Sequence, residues 1–396
     1  MTTRTLTVVR QASVAANRAP STLLDETTAA EIERLEAMSF RGLRRMFSPR
    51  DEMFVFRVRP TGAGVIQQEG LSPRYTAIAL IGLARYQAEQ DSTVPGAFDA
   101  VVARLLQDAA KNANLGDVAL SLWAGKELGA DDATLEPVLR QLEAVDPLER
   151  PQPVVELAWT LSALSALSSP QALRLRERVA SRLMSAFSFS SKLFPHIVGG
   201  PSGVRAHVSC FADIIYPIQA LSRYAAATRH QMALDVASAC AAHLCSLQGE
   251  AGQWWWHYDF RTGRVLERYP VYAIHQDAMG PMGLRTLREA GGLDCSAAIN
   301  LGMRWLTSSP ELAGGSLVDD DRDLIWRKVA RREPRKLVRA LQSGLSRAHS
   351  SLRVPAVDVL FPPGEIDYED RPYHLGWLLY AWSAAPLIPE PQLGEQ

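Results

Sequence analysis

Two aspartates recur in matching settings along this chain. Asp213 stands four residues before Pro217 and Asp277 four residues before Pro281, each at the start of a long apolar segment. His275 lies two residues before the second aspartate, and Tyr373-His374 opens the last apolar segment. Two carboxylates whose surroundings separate their pKa values can divide into a general acid and a general base. Histidine adds a group that titrates near neutral pH. Asp213, Asp277, His275 and His374 are therefore the expected acid–base set. Beside them lie Trp254, Trp255, Trp256, Tyr258, Tyr269, Tyr272 and Tyr373, and the acidic alternation Glu365, Asp367, Glu369 and Asp370. Trp255, Tyr258, Tyr272, Tyr373 and Glu369 form the expected binding surface, with Arg74 to neutralise a substrate carboxylate. Aromatic platforms beside carboxylates suit a sugar ring, whose apolar faces stack while the carboxylates bond hydroxyls or move protons. The implied chemistry is hydrolysis, elimination or epimerisation at such a ring, the last two with His275 or His374 as base.

Plainer roles stand beside these. Asp213 and Asp277 would equally cap helices and offset their dipoles. Alternate residues of Trp254 to Trp256 face opposite ways on a strand, so at least one belongs to the core. His196 and His207 read as loop residues, and the 365–370 carboxylates as a solvated rim. His275, Asp277 and His374 are ordinary zinc-type ligands, yet without a cysteine or a close histidine pair the sequence predicts no metal and no cofactor.

The elements that must position these residues follow a repeat. A strand-like aromatic stretch, a Gly/Pro turn and a polar loop precede an apolar helix at 54–83, 193–221, 254–284 and, shortened, 361–379. The copies hold five of the eight histidines, so the same loop is delivered repeatedly to one end of the molecule. Helical periodicity pairs 72–90 with 96–111, 115–128 with 132–145, 152–168 with 169–187, 211–228 with 230–248, and 275–290 with 293–308. The first helix, 29–46, has no predecessor and the last, 373–383, no successor; pairing them closes a ring. The expected fold is all-α, an (α/α)6 toroid of six helical hairpins with short β-hairpin-like loops on one rim. An open solenoid is the alternative, in which the termini need not meet.

The 396 residues are 47% hydrophobic, enough for one large domain over 27–388, with a disordered or extended head at 1–26 and a flexible tail at 389–396. A formal net charge of −1 gives no basis for nucleic-acid binding, so the expected partner is a carbohydrate or other small molecule. Four cysteines without a CxxC pair and a polar N-terminus without an apolar stretch suggest a cytoplasmic protein with no transmembrane segment. One stretch departs from the repeat. Residues 319–353 read as a basic helical insertion whose Leu324, Trp326, Val329, Leu337, Val338 and Leu341 would form an apolar stripe beside Arg327, Lys328, Arg331, Arg332, Arg335, Lys336 and Arg339. That pattern fits either an outer helix with a solvated face or peripheral membrane contact through 322–341.

Gln248-Gly249-Glu250-Ala251-Gly252-Gln253-Trp254 resembles the Gln-x-x-x-Gly-x-Trp motif of terpenoid cyclases and protein prenyltransferases. In those families the motif clasps helices together, so the resemblance implies the toroid and not a reaction. The whole chain resembles the six-hairpin fold of glycoside hydrolases, polysaccharide lyases and sugar epimerases. This implies a carbohydrate-active enzyme working by carboxylate and histidine chemistry in the toroid cavity, in polysaccharide biosynthesis or on imported oligosaccharide. The alternatives are a cyclase- or prenyltransferase-like enzyme, whose Asp-x-Asp-Asp and Asp-x-Cys motifs are absent here, and a non-catalytic scaffold. The cavity separates them: carboxylates within reach of a polar mouth for sugars, a deep apolar pocket for isoprenoids, a plugged ring for a scaffold.

Overall fold

Long apolar runs without helix breakers form the inner wall of a ring, and amphipathic ones wrap it. The computed structural model describes residues 24–62, 64–89, 97–200, 205–332, 360–384 and 386–388. The inner helices are α2 (Pro73–Glu89), α4 (Leu115–Glu127), α6 (Val154–Leu164), α8 (Phe211–Thr228), α10 (Gly280–Glu289) and α12 (Pro372–Trp382). The outer ones are α1 (Glu26–Met46), α3 (Ala97–Ala109), α5 (Asp132–Ala144), α7 (Pro170–Ser185), α9 (Gln231–Ser246) and α11 (Ser296–Thr307). Burial separates the two sets. Every residue of α12 from His374 to Trp382 is buried, whereas α7 buries only Ala172, Leu175, Val179, Ala180 and Leu183 and turns Arg174, Glu177 and Arg178 to water.

Each inner helix packs on the next, α2 on α4, α4 on α6, α6 on α8, α8 on α10, and α12 joins α10 to α2. Helix α1 packs on α12, so first and last elements meet as the pairing requires. This closed ring is the (α/α)6 toroid and excludes the open solenoid. One expected pairing shifts: α3 packs on α4, and not chiefly on α2. The seam between α2 and α12 is the tightest of the ring. A Cβ on Gly82 would fall 2.0 Å from the Gly376 carbonyl oxygen, and one on Gly376 would fall 2.7 Å from the Ala79 Cα. Two glycines facing each other are what lets these backbones touch.

Short antiparallel sheets sit where inner helices begin. Strands β1 (Phe47–Ser48), β2 (Met53–Pro60) and β3 (Ile66–Leu71) lead into α2. Strand β6 (Val208–Cys210), paired with β7 (His257–Asp259), leads into α8, and β9 (Val271–Tyr272) leads towards α10. Two-residue strands β4 (Gln152–Pro153) and β5 (Ile197–Val198) pair before α6, and β8 (Arg264–Glu267) completes the β6–β7 sheet.

The basic insertion is not helical where the structure describes it. Residues 318–331 form β10 (Val318–Asp319), β11 (Leu324–Ile325) and β12 (Lys328–Arg331), and β12 lies between β9 and β13 (Pro363–Asp367). Leu324, Trp326 and Val329 are buried, as the stripe requires, but they line a ribbon. Along β12 burial alternates, Val329 and Arg331 inward, with period two and not 3.6. Residues 333–353 of the expected helix lie outside the described residues. Among the described residues no helix is long and apolar enough to cross a membrane.

The Gln248…Trp254 segment joins α9 to α11. The Gln248 amide donates to the Gly252 carbonyl at 2.9 Å and to the Ala298 carbonyl at 3.0 Å. Gly252 takes φ +103° with its Cα against the Leu301 carbonyl, where a Cβ would fall 2.0 Å from the oxygen.

Candidate functional site

A cavity of about 280 Å³ opens at the rim where the inner helices start. Its walls are their first turns and the adjoining strands: Arg74, Tyr75 and Ile78 from α2, Val155 and Trp159 from α6, Cys210, Ala212 and Tyr216 from the start of α8, and Tyr373 from α12. Trp256, Tyr272, Ile274, His275, Met279 and Arg327 complete it. Tyr373 stacks on Tyr75 (4.7 Å between centroids), and Tyr272 leans on His275 (5.0 Å). Below, Trp159 meets Tyr216 edge-on and Trp377 lies 6.1 Å from Tyr216, so aromatic rings floor the cavity.

His275, Asp277 and Met279 belong to a π-helical turn, His275–Met279, that precedes α10. Such a turn inserts a residue and re-aims side chains, and it recurs at functional sites. Here it points Asp277 at α12. His374 Nε2 lies 2.8 and 2.9 Å from the two Asp277 oxygens, with both residues buried, and the indole of Trp382 donates to the Asp277 carbonyl at 2.6 Å. Asp370 Oδ1 stands 3.9 Å from His374 Nδ1. Burial raises the Asp277 pKa against the pull of His374. Burial would lower His374, but the charge of Asp277, the bond to it and the charge of Asp370 lift it above its ordinary value. Burial carries Asp370 up to about 6 although the Ile325 and Arg371 amides donate to it.

The structure thus brings Asp277 and His374 together, with His275 beside them on the cavity wall. Asp213 is elsewhere: it occupies the third position of α8, accepts from the Cys210 amide at 2.7 Å and faces His196 Nδ1 at 3.1 Å. It holds Cys210 at the wall and does not line the cavity. Burial and the neighbouring Asp213 carboxylate push the Cys210 thiol well up, so it is neutral. Of the expected binding residues, Arg74, Tyr272 and Tyr373 line the cavity. Trp255 and Tyr258 are core residues, 7% and 0% exposed, and Glu369 is buried beneath three guanidinium groups.

Two charge clusters adjoin the cavity, one through the lining residue Arg74 and the other through the lining residue Arg327. In one, Arg74 is shared by Asp117 (2.6 Å) and Glu156 (3.3 Å), two carboxylates to one cation. Glu156 also accepts from the Gly116 amide at 3.1 Å, and its side chain is 10% exposed. In the other, Glu369 is shared by Arg57 (3.0 Å), Arg327 (2.7 Å) and Arg371 (2.6 Å), while Glu69 also pairs with Arg57 (2.7 Å) and Asp367 with Arg327 (3.6 Å) and Lys328 (2.9 Å), four cations to three carboxylates. Arg371 also donates to the Tyr75 hydroxyl at 2.9 Å. Arg327 lines the cavity and was not expected there; Asp117 and Glu156, which touch the wall through Arg74, were not expected either. The signal for Glu156 was present: it is the one charge in the apolar run Val154–Leu164.

His275 supplies a pH signature. Burial lowers its pKa to about 3, against an ordinary value of 6.5. Between these values the unfolded chain binds more protons than the folded one. The neutral ring's contribution is therefore complete above pH 6.5 and is lost as pH falls towards 3. In urea titrations the stability gap between wild type and His275→Gln should narrow by about 2 kcal/mol from pH 7 to pH 4.5. A gap that stays constant would place the ring in contact with water.

No family model and no curated protein matches the sequence. Solved structures do match in fold. The chain is similar to an unsaturated glucuronyl hydrolase specific for heparin, with TM-score 0.56 and 14% identity over 90% of this chain and 96% of that one. The unsaturated glucuronyl hydrolase from Bacillus sp. GL1, responsible for degradation of glycosaminoglycan, gives 0.54 and 14% over 89% and 95%. A possible member of the GH105 family from Klebsiella pneumoniae gives 0.56 and 11% over 94% and 97%. At these identities the likeness establishes the architecture, the (α/α)6 toroid, over nearly the full length of each protein.

Proposed function

We propose that the chain is a carbohydrate-active enzyme that hydrolyses an acidic oligosaccharide at one sugar ring held in the rim cavity. The observation that carries the reading is an aromatic cavity whose lining Arg74 holds two carboxylates and whose lining Arg327 belongs to a cluster with one more cation than carboxylates. Arg327, drawn from that cluster, receives the carboxylate of the sugar, and Tyr75, Tyr272 and Tyr373 offer faces for its ring. Glu156 and Asp117, both on Arg74, provide the two carboxylates of an acid–base pair: one protonates the departing oxygen, the other draws a proton from the attacking water. Neutral His275 accepts a hydroxyl, while Asp277 and His374 position the turn that carries it. Asp213 positions the start of α8. A cavity of about 280 Å³ is at the small end for ligand sites and suits a single ring.

The names of the similar structures, glucuronyl hydrolases, support an acidic sugar. An isoprenoid pocket is disfavoured by Arg74, Arg327 and His275 on the wall, and a scaffold by the open cavity. Turnover of uronate-containing oligosaccharides and of their carboxyl-reduced counterparts, followed by mass spectrometry, tests the reading. Products should form from the acidic series at rates at least tenfold above the reduced one. Equal rates, or products from neither series, would reject it.

A further inference from the structure

Among the described residues, Arg223 is a fully buried cation without a counter-charge. It lies on the axis-facing side of α8, seven residues beyond the cavity-lining Tyr216, which places it about 10 Å deeper in the ring. Its side chain is 0% exposed. One guanidinium nitrogen, Nη1, donates to the Tyr380 hydroxyl and to the Leu387 carbonyl, each at 2.7 Å, and the group lies over the Trp123 ring at 5.1 Å. The other edge of the fork, Nε and Nη2, has no partner among the described residues. One turn back on the same face, Gln219 is also 0% exposed, and neither atom of its amide has a partner among the described residues.

The surrounding charges do not fill the gap. Arg85 pairs with Glu127 at 3.6 Å and Arg285 with Glu289 at 3.9 Å, so among the described residues three arginines meet two carboxylates at this level, and Arg223 has none. A buried cation left unpaired is strongly destabilising, and an unsatisfied Nε–Nη2 edge is the geometry that grips an anion. The aromatic floor of Trp159, Tyr216 and Trp377 separates this level from the cavity.

We propose that a halide-sized monovalent anion, chloride in ordinary buffers, binds between the Nε–Nη2 edge of Arg223 and the Gln219 amide. The anion holds the guanidinium that ties α8 to α4 through Trp123 and to α12 through Tyr380. The site is independent of the sugar cavity and of the reaction assigned there.

Full-length protein is melted in chloride, bromide and gluconate at equal ionic strength, and crystals grown in bromide are measured at the bromine absorption edge. Chloride and bromide should raise Tm over gluconate by ~5 °C, with an anomalous peak beside Arg223. Arg223→Met should abolish the difference; Gln219→Leu, which keeps the cation, should reduce it. Equal Tm values with no peak, the result if water satisfies the fork, would overturn the proposal. So would a halide effect that persists undiminished in both variants.

Discussion

Glu156→Gln should leave an acidic oligosaccharide bound and lower its turnover ~1000-fold, the loss typical of a removed proton carrier. The substitution keeps the size of the side chain and keeps an oxygen to accept from the Gly116 amide, now at 3.1 Å. What it removes is the exchangeable proton and half of the negative charge facing Arg74, which retains Asp117 at 2.6 Å. The fold should therefore survive, and a thermal melt verifies this before kinetics are read. Binding rests on Arg327 and the aromatic faces, so Kd should move less than threefold. A variant that turns over normally would remove Glu156 from the chemistry.

Gly82→Ala should be the most damaging single methyl group in the inner ring. Its Cβ would stand 2.0 Å from the Gly376 oxygen and 2.9 Å from the Gly376 Cα, so relief requires moving a backbone. Helices α2 and α12 would part at the seam that closes the ring, and Tyr75 and Tyr373, one from each helix, would lose their 4.7 Å stack. Overpacking of a close-packed interior usually costs 1–3 kcal/mol, and this clash with main chain belongs at about 3 kcal/mol. Gly62→Ala is the control, because nothing lies within 4 Å of a Cβ there. Urea unfolding of the pair measures the difference; similar midpoints would mean that the ring is plastic at this seam.

The ring itself was legible because its determinants are local. Apolar runs such as Leu157 to Leu164 make inner helices, spaced apolar residues such as Leu175, Val179 and Leu183 make outer ones, and the unpaired first and last helices complete each other. The ribbon at 318–331 was not legible. Buried Leu324, Trp326 and Val329 sit close to either periodicity over so short a stretch, and its strand character comes from pairing with β9 and β13, which are distant in sequence. The lining of the candidate cavity was legible in part for the same reason. Tyr272, His275 and Tyr373 stand next to helix starts that the repeat locates, and the repeat delivers them to the cavity. Glu369 was read as a ligand from its alternation with Asp367, but its three arginine partners include one more than 300 residues away, which no local pattern reveals. Isolated charges inside apolar helices, Glu156 in α6 and Arg223 in α8, were the overlooked sequence signal. A charge is costly in such a run unless something binds it.

The central claim is that the rim cavity recognises an acidic sugar through Arg327. The direct measurement is calorimetric titration of the Glu156→Gln protein with a uronate-containing oligosaccharide and with the same oligosaccharide after carboxyl reduction, repeated with Arg327→Gln added. The account predicts binding of the acidic ligand at least tenfold tighter than of the reduced one, and loss of that preference when Arg327 is replaced. Equal affinity for both ligands, or a preference that survives the loss of Arg327, would contradict it.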